Sequence, residues 1–352
     1  MSVIVPCLNE KPHIFDKCLQ SIVDNTSIEL IVVFDATDKN TELRDIAEKY
    51  TEYVYDCGDR SGKRTSVIYG LKKSKGDIII LADSDSIFVK DTIKNLIKPF
   101  HDDEVGGVTT KQHIIDPNKN ILRKFANWME HMRFSITIPA QSIFGGVGCL
   151  PGRAIAFRRE IIEKHINEFL NETFLGVRYD SGDDRFLTSM ALKDGWKTVY
   201  QSSAEVYTDC PDNWLKFIKQ QIRWARSSQR ETILSMGWLW KRPFTFFVFT
   251  TDIITPIIFV IVVMWTVYQY VVGQTHFNMP LSLSLIIGVI GMNISLGLRQ
   301  YPHLKICKSD ILYLPLYTMF MTFVMIPIRI YGLVTIRNNK WNTRTEIEAN
   351  KK

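Results

Sequence analysis

Two apolar stretches in the last third of the chain, residues 244–272 and 279–298, constrain the fold most. Each can cross about 30 Å of hydrocarbon as a helix rising about 1.5 Å per residue. Lys241 and Arg242 precede the first stretch, the connection 273–278 has no Lys or Arg, and Arg299, Lys305 and Lys308 follow the second. The positive-inside rule then places both outer flanks in the cytosol and the short connection outside. A third apolar stretch, 311–336, holds Pro315, Pro327 and Arg329, with Arg337, Lys340 and Arg344 after it. Bases on both sides favour an interfacial or re-entrant helix pair over a third crossing. A lipid bilayer is thus the first partner that the sequence calls for.

Residues 213–243 lead into this membrane region of 244–336. They interleave Trp214, Phe217, Ile218, Ile222, Trp224 and Trp238 with Lys216, Lys219, Arg223, Arg226 and Arg230. Aromatic residues beside bases suit amphipathic helices lying in a membrane interface. A surface helix of a soluble domain has a similar pattern, and the adjoining spans favour the interface.

Residues 1–212 read differently. Short apolar runs at 2–5, 30–34 and 77–81 alternate with helical patterns at 14–23, 41–50 and 65–75. Continuous apolar strands of this length suit parallel strands covered on both faces. The alternation predicts an α/β, doubly wound domain whose ligands bind at the carboxyl ends of the strands. Asp35, Asp83 and Asp85 follow such strand ends. At 352 residues, one large domain plus a membrane attachment is expected. The excess of 43 Lys+Arg over 37 Asp+Glu is too small to argue for nucleic acid. Six scattered cysteines form no CxxC pair, so neither zinc nor a disulfide scaffold is expected, and a reduced, cytosol-facing domain fits. The run 2–5 is too short for the apolar core of a signal peptide.

Four local motifs bear chemistry. Asp83-Ser84-Asp85 closes a strand, and two such carboxylates can hold a hard divalent cation, although similar triplets are often simply solvated. Ser61-Gly62-Lys63-Arg64 opens a helix and offers an anion site, or a plain solvated turn. Asp183 and Asp184 follow Gly182; one can serve as a general base, while a helix cap explains an acid here on local grounds alone. Gln220-Gln221-Ile222-Arg223-Trp224 supplies an amide, a guanidinium for phosphate and an indole to stack on sugar.

The order of these motifs, with Pro6-Cys7-Leu8-Asn9-Glu10 ahead of them, resembles the processive family 2 glycosyltransferases from about residue 2 to about residue 345. QxxRW is the most specific element. Within the group the chain looks most like hyaluronan synthases and their chitin-synthase and nodulation-type relatives, on 148–153, 220–227 and Trp341-Asn342-Thr343-Arg344.

The resemblance implies a GT-A-like nucleotide-sugar-binding domain on the cytosolic membrane face. It implies Asn9, Glu10 and Asp35 around the uridine, Lys63 near the nucleotide, and Asp83 with Asp85 on the sugar diphosphate and its Mg²⁺ or Mn²⁺. It implies Asp184 as general base beside Asp183, Cys149 next to the acceptor sugar, and Gln220, Arg223 and Trp224 holding the acceptor end. Trp341, Thr343 and Arg344 match a gating loop in the cytosolic tail 337–352, with Asn342 where that loop usually has Gly. The implied activity is inverting, metal-dependent polymerisation of UDP-sugars into a β-linked amino-sugar polysaccharide. Hyaluronan, made from UDP-N-acetylglucosamine and UDP-glucuronate, is the preferred product, ahead of a chitin-like N-acetylglucosamine polymer. A non-catalytic membrane protein keeping the fold is the other alternative. Hyaluronan synthases usually carry helices ahead of the catalytic domain, whereas this chain starts at its first strand; a complete channel then calls for association into a homo-oligomer.

Overall fold

A computed structural model describes residues 1–25, 28–58, 62–273 and 281–338. The main sheet is built from β1 (Ser2–Cys7), β2 (Glu29–Phe34), β3 (Val54–Asp56), β4 (Ile78–Ala82), β5 (Ile87–Phe88), β6 (Val105–Ile114), β7 (Ala154–Arg158) and a later strand, Lys197–Thr208. Between β7 and that strand, β8 (Thr173–Phe174) and β9 (Val177–Arg178) form a separate antiparallel ribbon, so Lys197–Thr208 is β10. The order across the sheet is β3-β2-β1-β4-β7-β6-β10-β5.

The three strands expected from the sequence are present and mutually parallel: β1 pairs with β2 and with β4 in parallel. The rest of the sheet departs from an all-parallel reading. β7 lies antiparallel between β4 and β6, and β5 is antiparallel to β10. β7 is as apolar and as buried as its neighbours, so composition does not disclose its direction.

Alternation along the strands builds two cores. Val3 and Val5 of β1 face the helix Pro12–Val23 through Phe15, Leu19 and Ile22. Ile4, with Ile31, Val33, Ile79 and Leu81, faces the helix Lys63–Lys73 through Val67, Ile68 and Leu71. Gly70 lets that helix approach closely, since a Cβ there would lie 2.6 Å from Ile4 Cγ2.

A third core unites the helices of the C-terminal part with the domain. Phe125 and Trp128 of the helix Ile121–Met132, Phe217 and Ala225 of the helix Trp214–Leu239, and Tyr317, Phe320 and Ile328 pack together. The helix Pro243–Val272 follows, with mean hydropathy 2.4 and little of it buried. Leu281–Arg299 is also helical. Residues Lys308–Val334 form one helical run with mean hydropathy 1.8, where the sequence suggested a helix pair. Its winding changes rather than breaks: a π-helical turn, Met321–Met325, precedes Pro327 and makes room for a residue that cannot donate to the preceding turn. By length and composition, Pro243–Val272 and Lys308–Val334 can each cross a membrane. Asp252 on the first pairs with Arg329 on the second at 2.5 Å.

Candidate active site

The carboxyl ends of β1, β2 and β4 open on one side of the sheet. Asn9 and Glu10 follow β1, and Asn9 takes a left-handed conformation with φ 50°. Its N–H donates to Asp38 at 2.7 Å. Asp35 follows β2 and is buried. One of its oxygens accepts from the Thr37 N–H and hydroxyl, and the other accepts from the Gly62 N–H at 2.6 Å. The foreseen anion site at the start of the helix Lys63–Lys73 therefore already faces a carboxylate of the protein; Ser61 lies outside the described residues.

Lys63 and Arg64 part ways. Arg64 turns inward and is almost wholly buried, donating to the Phe169 carbonyl, to Glu172 at 2.6 Å and to the Ser181 carbonyl. It is thus a structural clamp on the segment before Asp183, not half of an anion site. Lys63 points the other way. Its ammonium lies 2.6 Å from Asp83 and 2.9 Å from Asp183. Two acidic motifs a hundred residues apart in the chain thereby meet on one cation.

Around Asp83 the acids crowd. The Asp83 N–H donates to the Arg153 carbonyl, and the Ser84 hydroxyl donates to Glu10 at 3.1 Å. Burial, then the charges of Asp83 and Glu10, push Asp85 up to about 7. Arg153 opposes them from behind, held by Glu130 and Gln112 at 2.9 Å each. Asp83 and Asp85 offer carboxylate oxygens of the kind a hard divalent cation prefers, while the three potential ligands that come within 4.8 Å of one another among the described residues are His303, Cys307 and Asp310, away from this site.

Asp183 and Asp184 do not cap their helix. Gly182 holds the cap position with φ 83°, and both acids occupy the first turn. Burial alone would raise Asp183, but the adjacent Lys63 ammonium outweighs it and holds the carboxyl below its usual range. Asp184 is driven the other way, by burial and by the charge of Asp183. Its Oδ2 accepts from the Gly152 N–H at 3.1 Å and stands 3.9 Å from Cys149 Sγ; its Oδ1 accepts from the Arg185 N–H. Proximity to Asp183 and retention of lone-pair capacity leave Asp184 the better proton acceptor of the two.

The QxxRW residues sit on the helix Trp214–Leu239, capped by Asn213. Gly182 presses against this helix, since any Cβ there would collide with Ser227 Oγ. Arg223 faces the acids: burial weakens its hold on its proton, while Asp183, Asp184 and Asp83 strengthen it. Gln220 is half-buried and Trp224 is 37% exposed. Among the described residues neither makes a hydrogen bond or ring contact with the acids. Trp341, Thr343 and Arg344 lie outside the described residues.

Sequence reasoning passed over Asp38, Glu130 and Gln112, which orient Asn9 and Arg153. None stands in a motif; each acts through a partner from another strand or helix. All six cysteines are free.

Comparison with known proteins agrees with this geometry. Residues 1–227 match the family described as glycosyltransferase like family 2. A hyaluronan synthase of Streptococcus pyogenes is 27% identical over 99% of this chain and 84% of its own length. An N-acetylglucosaminyltransferase of Azorhizobium caulinodans is 28% identical over 98% of this chain and 87% of its own length. Among solved structures, a Pyrobaculum calidifontis mannosyltransferase in complex with GDP-Man and Mn²⁺ superposes with a TM-score of 0.63 at 17% identity, covering 92% of this chain and 86% of that one. The mixed sheet with acids at its strand ends is accordingly a GT-A-like fold, and the chain belongs to glycosyltransferase family 2 as an enzyme related to hyaluronan synthase and N-acetylglucosaminyltransferases.

Proposed function

We propose that the protein is a membrane-bound, metal-dependent, inverting and processive synthase that polymerises UDP-sugars into a β-linked amino-sugar polysaccharide, with hyaluronan as product. The observation that carries this reading is Lys63, whose ammonium reaches both Asp83 and Asp183 and so puts the two acid motifs on one pocket.

Asp83 and Asp85 are the residues that would hold Mg²⁺ or Mn²⁺ and, through it, the sugar diphosphate. Such an ion, when bound, offsets the charge that develops on the departing diphosphate. Lys63 adds to that offset from the protein side. Asn9 and Asp35 belong to the uridine end of the pocket. Asp184 takes the proton of an acceptor hydroxyl as its oxygen attacks the anomeric carbon. The bond to the diphosphate breaks from the opposite face, and UDP leaves with the electron pair. One displacement converts an α-linked donor into a β-linked product, and no group on the enzyme becomes glycosylated.

Trp224 offers a stacking face for the acceptor, with Gln220, Arg223 and Cys149 around it. The apolar helices Pro243–Val272 and Leu281–Arg299 serve as the attachment that keeps the catalytic domain at the cytosolic leaflet.

The test supplies membranes containing the full chain with labelled UDP-N-acetylglucosamine, labelled UDP-glucuronate, or both, with Mn²⁺ or with a chelator. Long polymer formed only with both donors and the ion, and abolished in Asp184→Asn, is the expected result. Incorporation from UDP-N-acetylglucosamine alone redirects the reading to a chitin-like product, a relationship favoured by the comparable similarity to an N-acetylglucosaminyltransferase. Polymer from Asp184→Asn at the parent rate would sink the assigned base.

A further inference from the structure

We infer that Arg185 reads an anionic sugar on the acceptor, as a half-buried cation set beside the base to receive a uronate carboxylate. The inference rests on the reading of the site as a saccharide-elongating one and adds which acceptor that site favours.

Arg185 directly follows Asp184, and its side chain reaches the place where four parts of the molecule meet. Its guanidinium lies 4.2 Å from the ring centroid of Phe249, in the helix Pro243–Val272. Nη2 donates to the Thr232 hydroxyl, in the helix Trp214–Leu239, at 3.1 Å. The thiol of Cys149 senses its charge from the loop before β7. This is the side of the pocket that faces the membrane helices, whereas Lys63 and Arg223 face Asp83 and Asp183.

The charge of Arg185 is poorly compensated. The buried Arg64 and Arg123 and the half-buried Arg153 meet carboxylates at 2.6, 2.9 and 2.9 Å. Among the described residues, no carboxylate oxygen comes within ion-pair distance of Arg185, and its enclosed Nε has no hydrogen-bond partner. Glu231, which senses its charge, is pushed up to about 7 by burial and by Glu172 and is a weak counter-ion. A half-buried cation with spare donors gains when an anion joins it. A sugar hydroxyl can accept a hydrogen bond from the accessible end of the guanidinium but cannot neutralise the charge. A carboxylate does both, through the two-pronged geometry that guanidinium favours.

The experiment uses the detergent-solubilised full chain with UDP and Mn²⁺ present. Two β-linked oligosaccharides of equal length are titrated, one ending in glucuronate and the other in N-acetylglucosamine. The parent chain is expected to bind the acid-ended oligosaccharide about tenfold more tightly, equivalent to about 1.4 kcal/mol. Arg185→Gln removes that preference and Arg185→Lys keeps part of it. Because the preference is a ratio read within one preparation, the folded fraction cancels. Equal binding by the parent chain, binding of neither oligosaccharide, or a preference that survives Arg185→Gln overturns the inference. Binding is measured without turnover, so polymerisation persisting in Asp184→Asn would remove the assigned base while leaving this preference readable.

Discussion

Lys63 carries its charge between Asp83 and Asp183, and Asp184 stands next in the chain to the second of these. A general base must be unprotonated to act. Burial and Asp183 raise Asp184 above the ordinary carboxylate range, so the acidic limb of the rate profile should lie above about 3.9. The Lys63 charge pulls Asp184 in the opposite direction. Replacing Lys63 by Met removes a positive charge, disfavours the carboxylate and moves the acidic limb to higher pH. A pH–rate profile of Lys63→Met at saturating donor tests this; a limb that stays where it was argues that Asp184 is not the base. The roles of Lys63 and Arg64 illustrate what residue types leave open. Both are cations at the start of one helix, and only the three-dimensional surroundings send Arg64 to Glu172 and Lys63 to the acids.

At the scale of elements, Gly182 decides how the loop bearing the acids meets the helix bearing QxxRW. Its φ of 83° suits glycine, and a Cβ there would collide with Ser227 Oγ. Gly182→Ala should cost about 1–2 kcal/mol from the backbone alone, plus the steric clash. Adding Ser227→Ala should recover the steric part and leave the backbone part. Thermal unfolding of the two variants beside the parent separates them. The first three apolar strands were legible because strands covered on both faces print as unbroken apolar runs. β7 was legible as neither strand nor direction, since its partners, β4 and β6, come from distant parts of the chain. β10 was hidden for another reason: its register shifts between Gln201 and Glu205, which breaks the alternation that would mark a strand. The acid motifs could be found from the sequence, whereas their meeting on Lys63 depends on pairings that no short window contains.

For the whole molecule, the catalytic domain and the apolar helices share contacts at several points. Lys124 and His303 both reach Asp310, at 2.8 and 2.9 Å, tying the helix Ile121–Met132 and the short helix Tyr301–Ile306 to the start of Lys308–Val334. Asp252 and Arg329 join the two long apolar helices. In a bilayer, removing one partner strands the other charge on an apolar surface. Asp252→Asn and Arg329→Met should each lower the melting temperature of the detergent-solubilised chain, and the exchange Asp252→Arg with Arg329→Asp should restore most of it. Equal melting temperatures for all three would show that the pair contributes nothing to assembly.

The loop before β7 has least freedom of all. Gly146 and Gly148 lie so close to Thr245 and Phe249 that no side chain fits between, and a few residues on, the Gly152 N–H grips Asp184. Ribbon and anchor are cut to one another like key and keyway. An engineer who transplants the membrane anchor of a relative onto this domain would have to carry residues 145–152 with it, or the graft would unseat Asp184.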